Sequence, residues 1–187
     1  MRAFVLFDWG AQVAGVKLKE GVVLCEKVLD SLGDGRYDGR HVDYVDIEWH
    51  EAHSRVHRKT SSNGEDVGIR LADEVAARGL HQGDVLYADD AKVIAVNIPP
   101  ADALKVVVRA DHRQEVARLC WEVGNTHTPM FRGEDELTFF VPYSEPLAQK
   151  IAALHGVEAS RVTARLDFDH ALSGAAGGHH HHHHDHD

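Results

Sequence analysis

The sequence predicts an α+β protein: an N-terminal all-β domain, then a ferredoxin-like β-α-β-β-α-β domain, then a flexible histidine-rich tail. Three observations predict it. Up to Asn97 the apolar residues fall in short β-branched and aromatic runs separated by turn residues. Beyond Pro100 strand-like and helix-like periodicities alternate. From Ser173 onward the chain consists of small residues followed by histidine and aspartate.

In the first part, HVDYVDIEW (His41 to Trp49) has strand composition, and SSNG (Ser61 to Gly64) contains the Asn-Gly pair of a hairpin. RLADEVAARGL (Arg70 to Leu80) has room for a helical turn or two. GDVLYADDAKVIAVN (Gly83 to Asn97) reads as strand, Asp-Asp turn, strand. The paired prolines of NIPP (Asn97 to Pro100) stop a strand and stiffen a connection, which puts a boundary between domains spanning 1–97 and 98–172. In the second part, ALKVVVR (Ala103 to Arg109) is a strand. A helix follows from Asp111 to Gly124, with Val116, Leu119, Cys120 and Val123 on one face. Asp111 is placed to cap it, with Gln114 three residues on, and Gly124 to end it in a left-handed residue. A short apolar stretch at TPMF and a strand at LTFFVP (Leu137 to Pro142) come next. The second helix has Ser144 as cap, Pro146 in its first turn, Leu147, Ile151 and Leu154 on its apolar face, and Gly156 as stop. RVTARLDF closes the unit as a strand alternating Val162, Ala164 and Leu166, and residues 173–187 form the tail.

Composition excludes several functions. At 187 residues and 43 % hydrophobic content the chain can bury a core without staples. A formal charge of −10 opposes binding to a phosphate backbone, so no nucleic-acid partner is expected. No apolar run approaches the roughly 20 residues that span a bilayer, and MRAFVLFDWGAQV lacks a signal peptide's cleavage site, so the expected location is cytoplasmic and off the membrane. Cys25 and Cys120 are too few and too far apart for a disulfide framework or a thiolate zinc site. Phosphate-loop, dinucleotide and nucleophile-elbow motifs are absent, and Cys120 sits on an apolar helical stripe, where burial disfavours a thiolate. No catalytic residue is assigned, and the expected protein is not an enzyme.

Histidine is the anomaly: 16 residues, with His179, His180, His181, His182, His183, His184 and His186 in the tail and nine elsewhere. His127 in GNTHTP (Gly124 to Pro129) lies between a helix exit and a proline, a rigid mount for an imidazole, although a loop histidine is commonly only solvated. HEAHSRVH (His50 to His57) departs from the H-E-x-x-H zinc-protease pattern by one residue, and a solvated face is the expectation there. The acidic groups Asp89-Asp90 and Glu134-Asp135-Glu136 read as surface.

HQGDVLYADDAKVIAV (His81 to Val96), then CWEVGNTHTP (Cys120 to Pro129), then a histidine-rich end resembles the UreE-type urease accessory proteins, a family of nickel metallochaperones. The likeness covers nearly the whole chain, including RVHRKTSSNGEDVGIRLA (Arg55 to Ala72). It implies that His127 is the nickel ligand given by each subunit of a homodimer, with further ligands from His170 and the tail histidines. It implies Ni(II) as cargo, delivery to the apo-urease accessory complex through the urease accessory GTPase, and an N-terminal domain that contacts protein partners. The histidine pair that some members carry at the start of the second helix is missing from VPYSEPL, which puts an additional site there in doubt.

Two origins fit the six-histidine run, an affinity tag and a native tail. Continuation into Asp185-His186-Asp187, which a tag does not need, favours the native one. Imidazole also suits Zn(II) and Cu(II), so these ions compete with nickel. The competing functional classes are a general zinc, copper and nickel buffer, or a protein-binding module carrying a tag.

Overall fold

The structure is a computed structural model that describes Val16, Lys17 and residues 21–172. Its elements run β1 (Val16–Lys17), β2 (Val22–Cys25), β3 (Asp30–Ser31), β4 (His41–Asp46), β5 (Val56–Thr60), β6 (Asp66–Arg70), α1 (Asp73–Arg78), β7 (Asp84–Ala88) and β8 (Lys92–Asn97). They continue through β9 (Ala101–Val108), α2 (Glu115–Gly124), β10 (Phe131–Arg132), β11 (Thr138–Pro142), α3 (Glu145–Ala152) and β12 (Val157–Ala164). The chain divides into two compact units. Of the described residues, one comprises those up to 47 with 54–75 and 82–97, and the other 48–53, 76–81 and 98–172.

The first unit holds two four-stranded sheets, ordered β1-β2-β6-β5 and β3-β7-β8-β4. Alternation in β2 and β6 buries Val23, Cys25, Val67 and Ile69 and leaves the residues between them partly exposed, as a sheet with one covered face requires. In β8 four successive residues, Val93 to Val96, are buried, so that strand is covered on both faces. The hairpin expected at SSNG joins antiparallel β5 and β6, and Gly64 supplies the left-handed turn residue at φ 85°. The helical turns suspected around Asp73 are α1.

The second unit has the β-α-β-β-α-β order with a sheet ordered β10-β11-β9-β12, all neighbours antiparallel, which is the ferredoxin-like arrangement. Leu104, Val106 and Val108 of β9 point to one side and pack with Leu119 and Val123 of α2 and Leu147 and Ile151 of α3. A smaller cluster of Ala103, Phe131 and Leu166, with Trp49 and Phe168 against it, lies among the strand residues of opposite parity.

Several boundaries differ from the sequence expectation, the start of α2 and both ends of β12 by four residues each. α2 begins at Glu115, and Asp111 belongs to a separate 3-10 turn, Ala110–His112. The Asp111 carboxylate is held by the Arg109 guanidinium at 2.7 Å instead of capping α2. The last strand starts at Val157, not Arg161, because Gly156 at φ 72° turns the chain directly into it. Its first half is mostly exposed and carries no apolar alternation to mark it.

Candidate metal centre

His127 ends the segment that leaves α2. Asn125 and Thr126 continue the helical turn through bonds to the carbonyls of Trp121 and Val123, and His127 N–H closes it on Gly124 O at 2.9 Å. The Thr126 hydroxyl donates to Val123 O at 2.7 Å and lies 2.8 Å from the Thr128 hydroxyl, which pins the loop on both sides of the histidine. The left-handed residue expected at Gly124 is His127 itself. Gly124 stays helical, and His127 has φ 55°, the only positive φ outside glycine among the described residues. A side-chain-bearing residue in this conformation is strained by about 1 to 2 kcal/mol. The imidazole is exposed, and among the described residues no hydrogen bond takes up its ring. Three residues on, Met130 is buried in the core.

His170 is also exposed, on the 3-10 turn Phe168–His170 that follows β12. Behind that turn the chain runs antiparallel to β10: Phe131 bridges Ala171, and Leu172 N–H donates to Met130 O at 2.8 Å. The last described residue is thereby bonded three positions from His127. The tail ligands expected from sequence, His179 to His184 and His186, lie outside the described residues.

The remaining histidines fill other roles. His57 is buried, not solvated, and its Nε2 donates to Ser54 O at 2.9 Å. His53 is half-buried, with Nδ1 donating to Ala76 O at 2.9 Å and its ring edge-on to Phe168. His50 is exposed beside the Trp49 ring. Cys120, expected on the buried stripe of α2, is exposed next to Trp121, itself 62 % exposed. The expected apolar face instead turns Leu119 and Val123 inward.

Sequence reasoning missed one constellation. His81, in the loop after α1, donates through Nδ1 to Asp167 Oδ1 at 2.8 Å, with Asp169 Oδ1 at 3.3 Å. The bond to Asp167 raises the imidazole above its ordinary pKa, burial opposes it, and the Asp169 charge adds to the rise. Eighty-six positions separate His81 from Asp167, and only the Asp-x-Asp spacing of LDFDH was visible locally.

Comparison with known proteins covers both units. The family description "UreE urease accessory protein, N-terminal domain" matches residues 25–99, and "UreE urease accessory protein, C-terminal domain" matches residues 104–187. The urease accessory protein UreE of Acetivibrio thermocellus is 40 % identical over 129 residues, covering 69 % of this chain and 80 % of that protein. Its counterpart in Flavobacterium johnsoniae is 38 % identical over 144 residues, 77 % of this chain and 83 % of the relative. The Helicobacter pylori protein is 33 % identical over 151 residues, covering 81 % and 86 % respectively.

Proposed function

This chain belongs to the UreE family of urease accessory proteins, which are accessory chaperones and not enzymes, and from that premise we propose that it carries Ni(II) on histidine for delivery during urease maturation. The observation that supports this most is His127: an exposed imidazole held in a strained left-handed conformation at the end of a pinned helix exit, with the chain leaving toward its histidine-rich end beside Met130. Strain at a site the surroundings over-determine is a reason to look for function there.

In this reading two copies of the chain meet as a homodimer with their His127 residues sharing one ion, and His170 and the tail histidines complete the coordination. Nickel(II) stands near the top of the divalent affinity order for imidazole, while copper and zinc compete, so selectivity comes from geometry and supply. A carrier also has to release its ion. Ligands on a fixed turn combined with ligands on the chain end allow one imidazole at a time to be exchanged for a partner's, without unfolding. A tail of closely spaced histidines raises the local concentration of ligand around the fixed site. We assign residues 98–172 to metal binding, 173–187 to collection, and 1–97 to contact with the urease accessory GTPase and apo-urease complex, in the cytoplasm.

Calorimetric nickel titration tests this on the full chain and on a chain ending at Ser173, each with and without His127→Ala. The shortened chain retains one tight site per two copies, and His127→Ala abolishes it. Loss of all binding on removing the tail, with no effect of His127→Ala, overturns the assignment. Imidazole binds nickel only when neutral, with an ordinary pKa of about 6.5, so protonation competes below that value and affinity falls steeply by about pH 5. Affinity unchanged at that pH would exclude imidazole as the main ligand.

A further inference from the structure

We propose that His81, Asp167 and Asp169 form a second, internal binding site for a divalent first-row transition ion, separate from His127 and the tail, that fastens the turn bearing His170. The three side chains offer one imidazole nitrogen and two carboxylate oxygens, all within 4.8 Å of one another. His81 and Asp167 are buried at 5 % and 7 % exposure, whereas Asp169 is open to solvent. An ion could therefore enter from the Asp169 side.

The two separations measured from the imidazole nitrogen are compatible with a shared ion. Ligand atoms about 2.1 Å from a metal stand about 3.0 Å apart at right angles and about 3.4 Å apart in a tetrahedron. The two observed separations from His81 Nδ1 are 2.8 and 3.3 Å. Charge points the same way. A divalent ion at the imidazole nitrogen would face two carboxylates, Asp167 and the exposed Asp169, against the opposing charge of Arg78. The donor set of one nitrogen and two oxygens suits zinc, nickel or cobalt more than calcium or magnesium, which take oxygen alone.

The site is also held in place before any ion arrives. Asp167 Oδ1 accepts from Asp169 N–H at 3.0 Å, and His170 N–H bonds Asp167 O at 3.0 Å, so the two carboxylates are set by one closed turn. Between them, Phe168 is wedged edge-on against His53 at 4.4 Å and Phe131 at 5.3 Å between ring centres. Ligands on a rigid turn lose little freedom on binding. Because His170 ends that same turn, an ion here would fix the base from which the chain end departs.

Zinc(II) titrated into the full chain, followed through the side-chain nitrogen and proton resonances of each histidine, tests the site independently of His127 and the tail. The expected result is that His81 Nδ1 loses its proton and moves to the shift of a metal-bound nitrogen as one further zinc per chain binds. Asp169→Asn, at an exposed position that keeps the His81–Asp167 pair, should raise the zinc needed for that change at least ten-fold and leave the zinc response of the His127 and tail resonances as it is in the parent. A His81 Nδ1–H that stays bonded to Asp167 at zinc levels saturating the tail overturns the proposal and makes the cluster a structural ion pair, as does an Asp169→Asn chain that titrates like the parent. Failure of the nickel assignment would appear at His127, so the two outcomes are distinguishable.

Discussion

His57 and His127 show how two regions of one chain treat the same side chain. In β5 of the first unit, His57 is 6 % exposed and its ring nitrogen is committed to a backbone carbonyl. In the second unit, His127 is exposed on a left-handed residue at the end of α2. A buried imidazole has to find a partner or incur a desolvation cost, so burial and availability exclude each other. The first unit uses its buried imidazole to hold a strand end, and the second uses packing elsewhere to hold an imidazole out.

On the proposed role of His127, the helix core matters to nickel binding in a way that the β core does not. Leu119 is fully buried between α2 and the sheet, and truncating it to alanine removes about 2 to 5 kcal/mol of stability through lost burial and a cavity. Ile69 is buried to the same degree in the first unit, and Ile69→Ala should cost a similar amount. Urea unfolding checks both. The comparison separates them by nickel titration under native conditions: Leu119→Ala loosens the helix exit and weakens the His127 site several-fold, whereas Ile69→Ala leaves it unchanged. Equal weakening by both would remove the distinction between the units.

A smaller effect sharpens the same contrast at His127. Glycine relieves the left-handed strain at φ 55° but adds freedom to the unfolded chain, so His127→Gly should raise stability by up to about 1 kcal/mol while removing the proposed nickel ligand. His127→Ala keeps the strain and should be close to neutral in stability. A glycine variant clearly less stable than its parent would mean that the imidazole itself supports the fold, as it does at position 57. The expected order, more stable and less functional, marks a residue kept for binding.

The fold was legible wherever periodicity and turn chemistry agreed. The β-α-β-β-α-β order followed from the apolar stripes of α2 and α3, from Ser144 and Pro146 at the start of α3, and from the glycine at 156. The start of α2 is hidden because Asp111 has cap chemistry, yet Arg109 two residues earlier competes for the same carboxylate. The first half of β12 leaves no mark in the sequence because Glu158 to Arg161 face solvent and carry no apolar alternation. His127 could be picked out by its neighbours Asn125 and Pro129, but not its backbone angle, since a histidine in the left-handed region is uncommon and glycine at 124 was the natural choice. His81 with Asp167 and Asp169 was beyond reach, because nothing local in HQGDVL signals a partner eighty-six residues away.

The two cysteines extend the contrast between the units to chemistry with no effect on stability. Cys25 is 1 % exposed in β2, and burial pushes its thiol up to about 12, so at neutral pH it is neither ionised nor reachable. Cys120 is exposed on α2, though partial burial raises its thiol as well. Thiolate is the reactive form, so iodoacetamide should alkylate Cys120 slowly near pH 7 and faster as pH rises, while Cys25 stays unmodified until the chain unfolds. Intact-mass analysis should therefore show one adduct on the native protein and two in urea. Two adducts on the native protein at neutral pH would mean that the first unit opens locally far more often than its buried β2 and β6 residues imply, and the comparison between a closed unit and an accessible one would fail at its simplest point.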